Sequence, residues 1–326
     1  MRSRFKVLLY EPMHLEGTRL LEEKCDVIYA ASLEEENLIR QARDVEAIII
    51  RAHGSVTKAL MDSAPRLKVL GRHGVGLENI DLMAAKGHGI EVVYTPAANA
   101  QSVAEHFVGL TLMLAKKLRL GDMGLRAGKW DARYELIGRE LYGKTLGIAG
   151  FGRIGKLTAR ICRNGFGMSV LYYDVIRFPE AEEELRAKQV DLKDLFREAD
   201  FISINMPLLP QTRGIINADL LKLMKRTAFL INMARGPLWN EADVVRALEE
   251  NWIAGVGSDV FEEEPSPADN PLFRMDNFVG TPHMAAHTEE SMLRMSMVSS
   301  DILAVLEGRK PEFPVPEEVY AQYGTP

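Results

Sequence analysis

The sequence predicts an α/β protein built from two doubly wound parallel sheets, and three observations predict it. Short apolar runs alternate with helical segments over the first ~95 residues, the pattern of parallel strands joined by crossover helices. The same alternation resumes near residue 145 and continues to about residue 280. At 326 residues the chain also exceeds one ordinary domain, so two cores are expected.

Taken in order, residues 5–10 read as a buried strand and 15–23 as a helix. Strands at 26–30 and 47–50 flank an acidic helical stretch over 33–44, and runs at 67–71 and 90–94 extend the set. From 100 to 120 the apolar positions recur at helical spacing with no internal proline, which predicts one long helix separating the two units. Residues 121–143 are mixed, with Trp130, Tyr134 and Tyr142 interspersed, and read as an exposed arm or a long loop. The second alternation places strands at 170–173, 201–205, 228–232, 254–259 and 278–280, with helices at 192–198, 218–224 and 240–249. A helix over 288–307 and a proline-rich tail over 311–316 follow.

Composition narrows the function. With 47% hydrophobic and 26% charged residues the chain reads as an ordinary globular protein. A net charge of −6, without a basic stripe, gives no electrostatic support for nucleic-acid binding. An anionic ligand must therefore be met by local positive groups. Two cysteines, Cys25 and Cys162, cannot form a disulfide framework and read as buried small hydrophobes in a reducing, cytoplasmic setting. The basic N-terminus has only a short apolar run before Glu11 and Pro12, which a first strand explains better than a signal peptide. No apolar run approaches the ~20 residues of a membrane span. The clusters Glu34–Glu36 and Glu182–Glu184 read as solvated faces.

The chemistry begins where the apolar run at 145–149 turns into glycines. Gly150-x-Gly152-x-x-Gly155 has the spacing of a dinucleotide-binding fingerprint and leads into a helical pattern. Gly150 would allow the tight turn, Gly152 the approach of backbone to a pyrophosphate, and Gly155 close packing of helix on strand. Asp174 ends the next strand 19 residues past Gly155, where a carboxylate accepts from ribose hydroxyls and repels a 2′-phosphate, so NAD is expected over NADP. A turn or cap residue is the plain alternative, and nearby Arg177 could itself accept a phosphate. Arg235 follows a buried strand at the ligand-binding end of a parallel sheet, and its planar fork suits a carboxylate; a surface ion pair would also explain it. Asp259 and the run Glu262–Glu264 stand at another strand end, as a cofactor contact and acid–base partner or as a polar loop. His283 and His287 precede a helix, but Pro282 and the lack of a third ligand argue against a metal. A histidine that trades a proton near neutral pH is the better reading.

These clusters, in this order, resemble the D-isomer-specific 2-hydroxyacid dehydrogenase family, most closely its D-3-phosphoglycerate dehydrogenase branch. The stretches over 71–81, 99–105 and 141–147, with Asn232–Gly236, Glu264–Pro265 and Thr281–His283, carry the resemblance over nearly the whole chain. It implies a Rossmann cofactor domain, residues 99–284, inserted into a flavodoxin-like substrate domain, residues 1–98 and 285–326. It also implies a catalytic set of Arg235, Glu264 and His283. The implied NAD contacts are Gly150, Gly152, Arg153, Ile154, Gly155, Asp174, Pro207, Thr212, Ala234, Asp259 and Val103, with Asp259 orienting the nicotinamide carboxamide. The backbone of Gly74, Val75 and Gly76 would hold the substrate carboxylate, with Asn99, Arg51, His53 and Arg235 also facing a small anionic 2-hydroxy or 2-oxo acid. Family members are usually homodimers joined through the cofactor domains, which makes the 121–143 arm the expected interface.

Several residues depart from the family pattern. His73 and His287 stand where small residues are common, Asn205 where histidine is common, and Pro237 and Trp239 follow Arg235-Gly236. Extra imidazoles at His53 and His73 would suit a second anionic group on the substrate; lineage drift explains them equally. The reaction the resemblance implies is hydride transfer at C2 of a D-2-hydroxy or 2-oxo acid, with D-3-phosphoglycerate, hydroxypyruvate and glyoxylate as candidates. A non-catalytic NAD(H)-sensing binding protein of the same fold is the reading from a different class. A methyltransferase would leave Arg235, Glu264 and His283 unexplained, and formate dehydrogenases typically carry glutamine at the position of Glu264.

Overall fold

The strand-forming runs of the first alternation are apolar at nearly every position, which suits strands buried on both faces. In the computed structural model, which describes residues 4–323, they become β1 (Phe5–Leu9), β2 (Cys25–Tyr29), β3 (Ala47–Ile50), β4 (Val69–Arg72) and β5 (Glu91–Tyr94). Between them lie α1 (Leu15–Lys24), α2 (Glu35–Ala42), α3 (Lys58–Asp62) and α4 (Leu82–Gly87). All five strands are parallel in the order β2-β1-β3-β4-β5, the doubly wound order of flavodoxin-like sheets. Because side chains alternate across a strand, Leu8, Ile48, Leu70 and Val92 pack on one face with Leu38 and Leu60. Val7, Leu9, Ile49, Val69 and Val93 pack on the other. Full burial of each such side chain is worth roughly 1.5–3 kcal/mol, so the alternation fixes which face each residue takes.

Next come α5 (Ala100–Ala115) and α6 (Leu118–Arg126), two helices where the spacing predicts one. The break is at Lys117, whose φ of 52° is left-handed. Its physical reason is burial: α5 carries Val103, Phe107, Leu110 and Leu114 into the core, whereas α6 buries no residue. The arm beyond it contains a 3₁₀ turn at Trp130–Tyr134. The second alternation then runs β6 (Thr145–Ala149), α7 (Arg153–Phe166), β7 (Ser169–Tyr173), α8 (Pro179–Leu185), β8 (Lys188–Gln189), α9 (Leu192–Glu198) and β9 (Phe201–Ile204). It continues with α10 (Ala218–Leu221), β10 (Phe229–Asn232), α11 (Glu241–Glu249), β11 (Gly255–Ser258) and β12 (Phe278–Gly280). These seven strands form a parallel sheet in the order β12-β11-β10-β9-β6-β7-β8. The chain moves outward from β6 to β8, then crosses back to β9 on the other side. That reversal leaves a crevice at the carboxyl ends of β6 and β9, the place where ligands bind in sheets of this kind.

The predicted helix over 288–307 is likewise two, α12 (Glu289–Ser296) and α13 (Val298–Leu306), and α14 (Glu317–Tyr323) follows the proline-rich stretch. Val298, Ile302 and Leu306 of α13 pack on the sheet face formed by Val7, Ile49 and Val69, so the C-terminal segment covers the sheet that the N-terminal segment builds. The chain divides into two compact units, one of Met1–Asn99 with His287–Pro326 and one of Ala100–Ala286. The elements missed in the sequence, α3, α4, α8, β8 and α14, are too short for periodicity to register. Among the described residues no helix is long and apolar enough to cross a membrane.

Candidate active site

β6 ends at Ala149 and the chain turns at Gly150, whose φ of 95° suits only glycine. A Cβ there would lie 2.6 Å from the Asn205 carbonyl carbon just past β9, so the turn is seated in the switch-point crevice. Gly152 precedes α7 with no side-chain cap, and open space surrounds the place of its absent Cβ. Arg153, Ile154 and Gly155 form the first helical turn, and a Cβ on Gly155 would meet the Gly150 carbonyl oxygen at 2.5 Å. A helix start without a side-chain acceptor leaves its first amides available to an anion, and these residues fit a dinucleotide pyrophosphate.

Asp174 ties this loop to the end of β7. Its Oδ2 accepts from the Phe151 N–H at 2.7 Å and its Oδ1 from the Ile176 N–H at 3.0 Å, which leaves each oxygen an acceptor site for a ribose hydroxyl. Arg177 is already engaged: its Nη2 lies 2.8 Å from Glu182 Oε2 and its Nε 3.1 Å from Oε1. Glu182 is itself held by the Tyr172 hydroxyl at 2.6 Å. The guanidinium that would receive a 2′-phosphate is thus occupied. Val103 is buried on α5, and the Ala234 N–H donates to Asn232 Oδ1 at 3.0 Å. The Thr212 hydroxyl donates to the Pro207 carbonyl at 2.7 Å, so it serves its own loop.

The catalytic candidates come from the loops after three adjacent strands, β10, β11 and β12. Buried Asn232 holds the first loop, donating from Nδ2 to the Arg235 carbonyl at 3.0 Å. A Cβ on Gly236 would overlap the Phe261 carbonyl group, so only glycine lets the Arg235 loop lie against the loop that carries Glu264. Glu264 Oε1 accepts from the Phe261 N–H at 2.9 Å, and Oε2 lies 2.7 Å from His283 Nδ1. Burial pushes the Glu264 carboxyl up, but the hydrogen bond and charge of His283, the Phe261 amide and the Arg235 charge outweigh it. The carboxyl is held below the usual glutamate range. Glu264 is therefore an acceptor, which assigns the Nδ1 proton to the shared bond and leaves Nε2 outside it. Asp259, expected to face the cofactor, is 1% exposed and binds the His283 loop from beneath, with one acceptor direction of Oδ2 unused. Among the described residues no group of three or more His, Cys, Asp or Glu could hold a metal.

In the other unit the glycine loop after β4 departs from expectation. The Gly74 N–H donates to Thr95 Oγ1 at 3.0 Å, and the Thr95 N–H donates back to the Gly74 carbonyl. Its amide is engaged within the unit, which makes Gly74 an anchor of the loop. Val75 and Gly76 remain, with no acceptor for their amides among the described hydrogen bonds. Arg72 draws the His73 and Gly76 carbonyls toward its guanidinium, at 2.7 and 2.5 Å. His73 is 3% exposed, and burial, reinforced by the charges of Arg51 and Arg72, pushes its imidazole down to about 3. It is neutral, which removes it from the cations expected to meet a second anionic group. His53 Nδ1 lies 3.0 Å from Glu11 Oε1, while Arg51 donates to the Pro12 carbonyl and lies 3.7 Å from Met292 Sδ. The Asn99 Oδ1 is buried without a hydrogen-bond partner. Thr95, Ser102, His106 and Thr281 were missed in the sequence; the available signal was a polar residue on an otherwise apolar helix face, as at His106.

An uncapped helix start at the switch point and a carboxylate–imidazole pair on adjoining loops are parts that a dinucleotide-dependent oxidoreductase uses. The chain belongs to the D-isomer specific 2-hydroxyacid dehydrogenase family, whose NAD binding domain profile matches residues 108–285. Over 309 residues it is 41% identical to a D-3-phosphoglycerate dehydrogenase of Methanocaldococcus jannaschii, covering 94% of this chain and 58% of that one. It thus spans little more than half of that relative's length. It is 39% identical to a glyoxylate reductase of Thermofilum pendens, covering 93% of this chain and 92% of that one. A crystal structure of a Thermus thermophilus protein superposes with a TM-score of 0.90 at 33% identity, over 96% of this chain and 100% of that one.

Proposed function

We propose that the protein is an NAD-dependent oxidoreductase acting at C2 of a small D-2-hydroxy or 2-oxo acid. The observation that carries this reading is the 2.7 Å pair of Glu264 and His283 on loops adjoining that of Arg235. When bound, the nicotinamide nucleotide supplies or accepts the hydride. Arg235 holds the substrate carboxylate and stabilises the charge that develops on the carbonyl oxygen. His283 gives its Nε2 proton to that oxygen in reduction and removes it in oxidation. Ionised Glu264, accepting from Nδ1, fixes the ring and its tautomer. Within the first unit, the Val75 and Gly76 amides and the Asn99 side chain are the groups offered to a substrate. In this reading residues 1–98 and 285–326 form the substrate domain, and 99–284 hold NAD.

Neutral His73 brings no charge to a second anionic group, and His53 is shared with Glu11. That favours glyoxylate or hydroxypyruvate over D-3-phosphoglycerate. The exposed apolar side chains of α6 and the arm, Leu118, Met123, Leu125, Trp130, Tyr134, Ile137 and Tyr142, support a homodimer joined through the cofactor domains. Buried free Cys25 and Cys162 support a reducing, cytoplasmic setting. The test is an absorbance assay of NADH and NADPH consumption with glyoxylate, hydroxypyruvate and 2-oxoglutarate, and of NAD reduction with D-3-phosphoglycerate. Turnover of the first two with a preference for NADH is expected. Tight NADH binding without turnover of any acid would overturn the reading and leave an NAD(H)-sensing binding protein.

A further inference from the structure

We propose that Ser102, His106 and Thr281 are positioning residues that clamp the loop of the catalytic histidine, with the Asp259 carboxylate at its centre. The inference rests on the reading of His283 as the acid–base residue. His283 has a left-handed backbone, φ 49°, which is uncommon for a residue with a side chain.

The surroundings here are specific. The Asp259 carbonyl accepts from the His283 N–H at 2.7 Å. Its Oδ1 accepts from the Thr281 hydroxyl at 2.6 Å and the Met284 N–H at 2.8 Å, and its Oδ2 from the Ala285 N–H at 2.8 Å. Four donors within five consecutive residues converge on one buried aspartate, and the three on its carboxylate keep a charge removed from water compensated. The Thr281 hydroxyl proton is committed to Asp259, so its oxygen must accept from elsewhere. His106 Nε2 supplies that donor at 2.9 Å, which places a proton on Nε2 of His106.

A second tie fixes the other end of the loop. Ser102 Oγ donates to the Ala285 carbonyl at 2.5 Å. Ser102 and His106 are four residues apart, hence on one face of α5, a helix whose other inward residues are largely apolar. They grip Thr281 and Ala285, the two residues that bracket Pro282, His283 and Met284. A rigid helix thereby sets where the catalytic imidazole stands relative to Glu264, by holding Thr281 and Ala285 rather than the imidazole itself.

Thr281→Val and His106→Phe each remove one link, whereas Thr281→Ser and His106→Gln keep it. The expected result is a fall in kcat on the order of tenfold for the first two, below the hundredfold that a full ångström of misplacement costs. The KM for glyoxylate and the NADH Kd by fluorescence should stay within about twofold, with recovery in the conservative pair. Independently of turnover, the rate of His283 carbethoxylation by diethyl pyrocarbonate, read by mass spectrometry, should change in Thr281→Val and not in Thr281→Ser. Wild-type kcat and an unchanged His283 modification rate in both disruptive variants would overturn the clamp. So would equal losses in disruptive and conservative variants with lowered Tm, which would mark a merely structural role. If the wild-type protein turned over no acid, the modification rate would still test the clamp while the catalytic reading fell.

Discussion

Two glycine loops, one in each unit, end parallel strands, and their amides meet opposite fates. After β6, Gly150 turns the chain and α7 begins without a side-chain cap, so the first helical amides are left for an anion. After β4, the Gly74 amide is taken by Thr95, and the Arg72 guanidinium draws back the neighbouring carbonyls. The first loop is a cradle open by default. The second is braced from behind and offers only the two amides of Val75 and Gly76. The lesson is that glycine spacing announces backbone freedom, whereas the partners of the backbone decide what that freedom is used for.

The comparison breaks most visibly at Gly150. Gly150→Val puts a side chain on a φ of 95° with its Cβ 2.6 Å from the Asn205 carbonyl carbon. NADH affinity should fall by more than about 100-fold, roughly 2.7 kcal/mol, in a fluorescence titration. An affinity near wild type would show that the turn does not seat the cofactor. A smaller effect is expected in the braced loop. Thr95→Val leaves the Gly74 amide without its acceptor, a loss of about 1–3 kcal/mol for a buried group. The KM for the 2-oxo acid should rise about tenfold while the NADH Kd stays unchanged, since about 1.4 kcal/mol is one decade. Equal effects on both ligands would erase the contrast between the loops.

The last test is one of pH. His73 titrates near 6.5 when unfolded and is pushed down to about 3 when folded. Above the unfolded value both states are neutral and the residue adds no pH dependence. As pH falls between the two values the unfolded chain takes up a proton that the folded one does not. Stability is thus lost at up to about 1.4 kcal/mol per pH unit. The thermal midpoint of His73→Ala should fall less steeply than wild type between about pH 6.5 and 4.5, whatever the cavity costs at neutral pH. Parallel slopes would mean that His73 is charged in the folded protein.

Much of the architecture was legible because it is local. Alternating apolar runs became parallel strands, and the spacing of Gly150, Gly152 and Gly155 foretold a turn leading into a helix. Arg235, Glu264 and His283 were legible as residue types at strand ends, and the sheet makes those ends neighbours. What could not be read depends on partners far away in the chain. Thr95 takes the Gly74 amide from 21 residues on, and His106 meets Thr281 across 175. The neutrality of His73 follows from burial, which no spacing displays. The break at Lys117 reflects the loss of a core face for α6, a tertiary fact laid over a continuous helical pattern.

The central claim is that His283, held by Glu264 at 2.7 Å, moves the proton while the glycine loop holds the nucleotide. His283→Ala tests it most directly, with NADH binding by fluorescence and glyoxylate reduction measured on one preparation. The account predicts an unchanged NADH Kd and a kcat lower by about 100-fold or more, the usual worth of a general acid. An enzyme that bound NADH and kept near-normal turnover without this imidazole would contradict it.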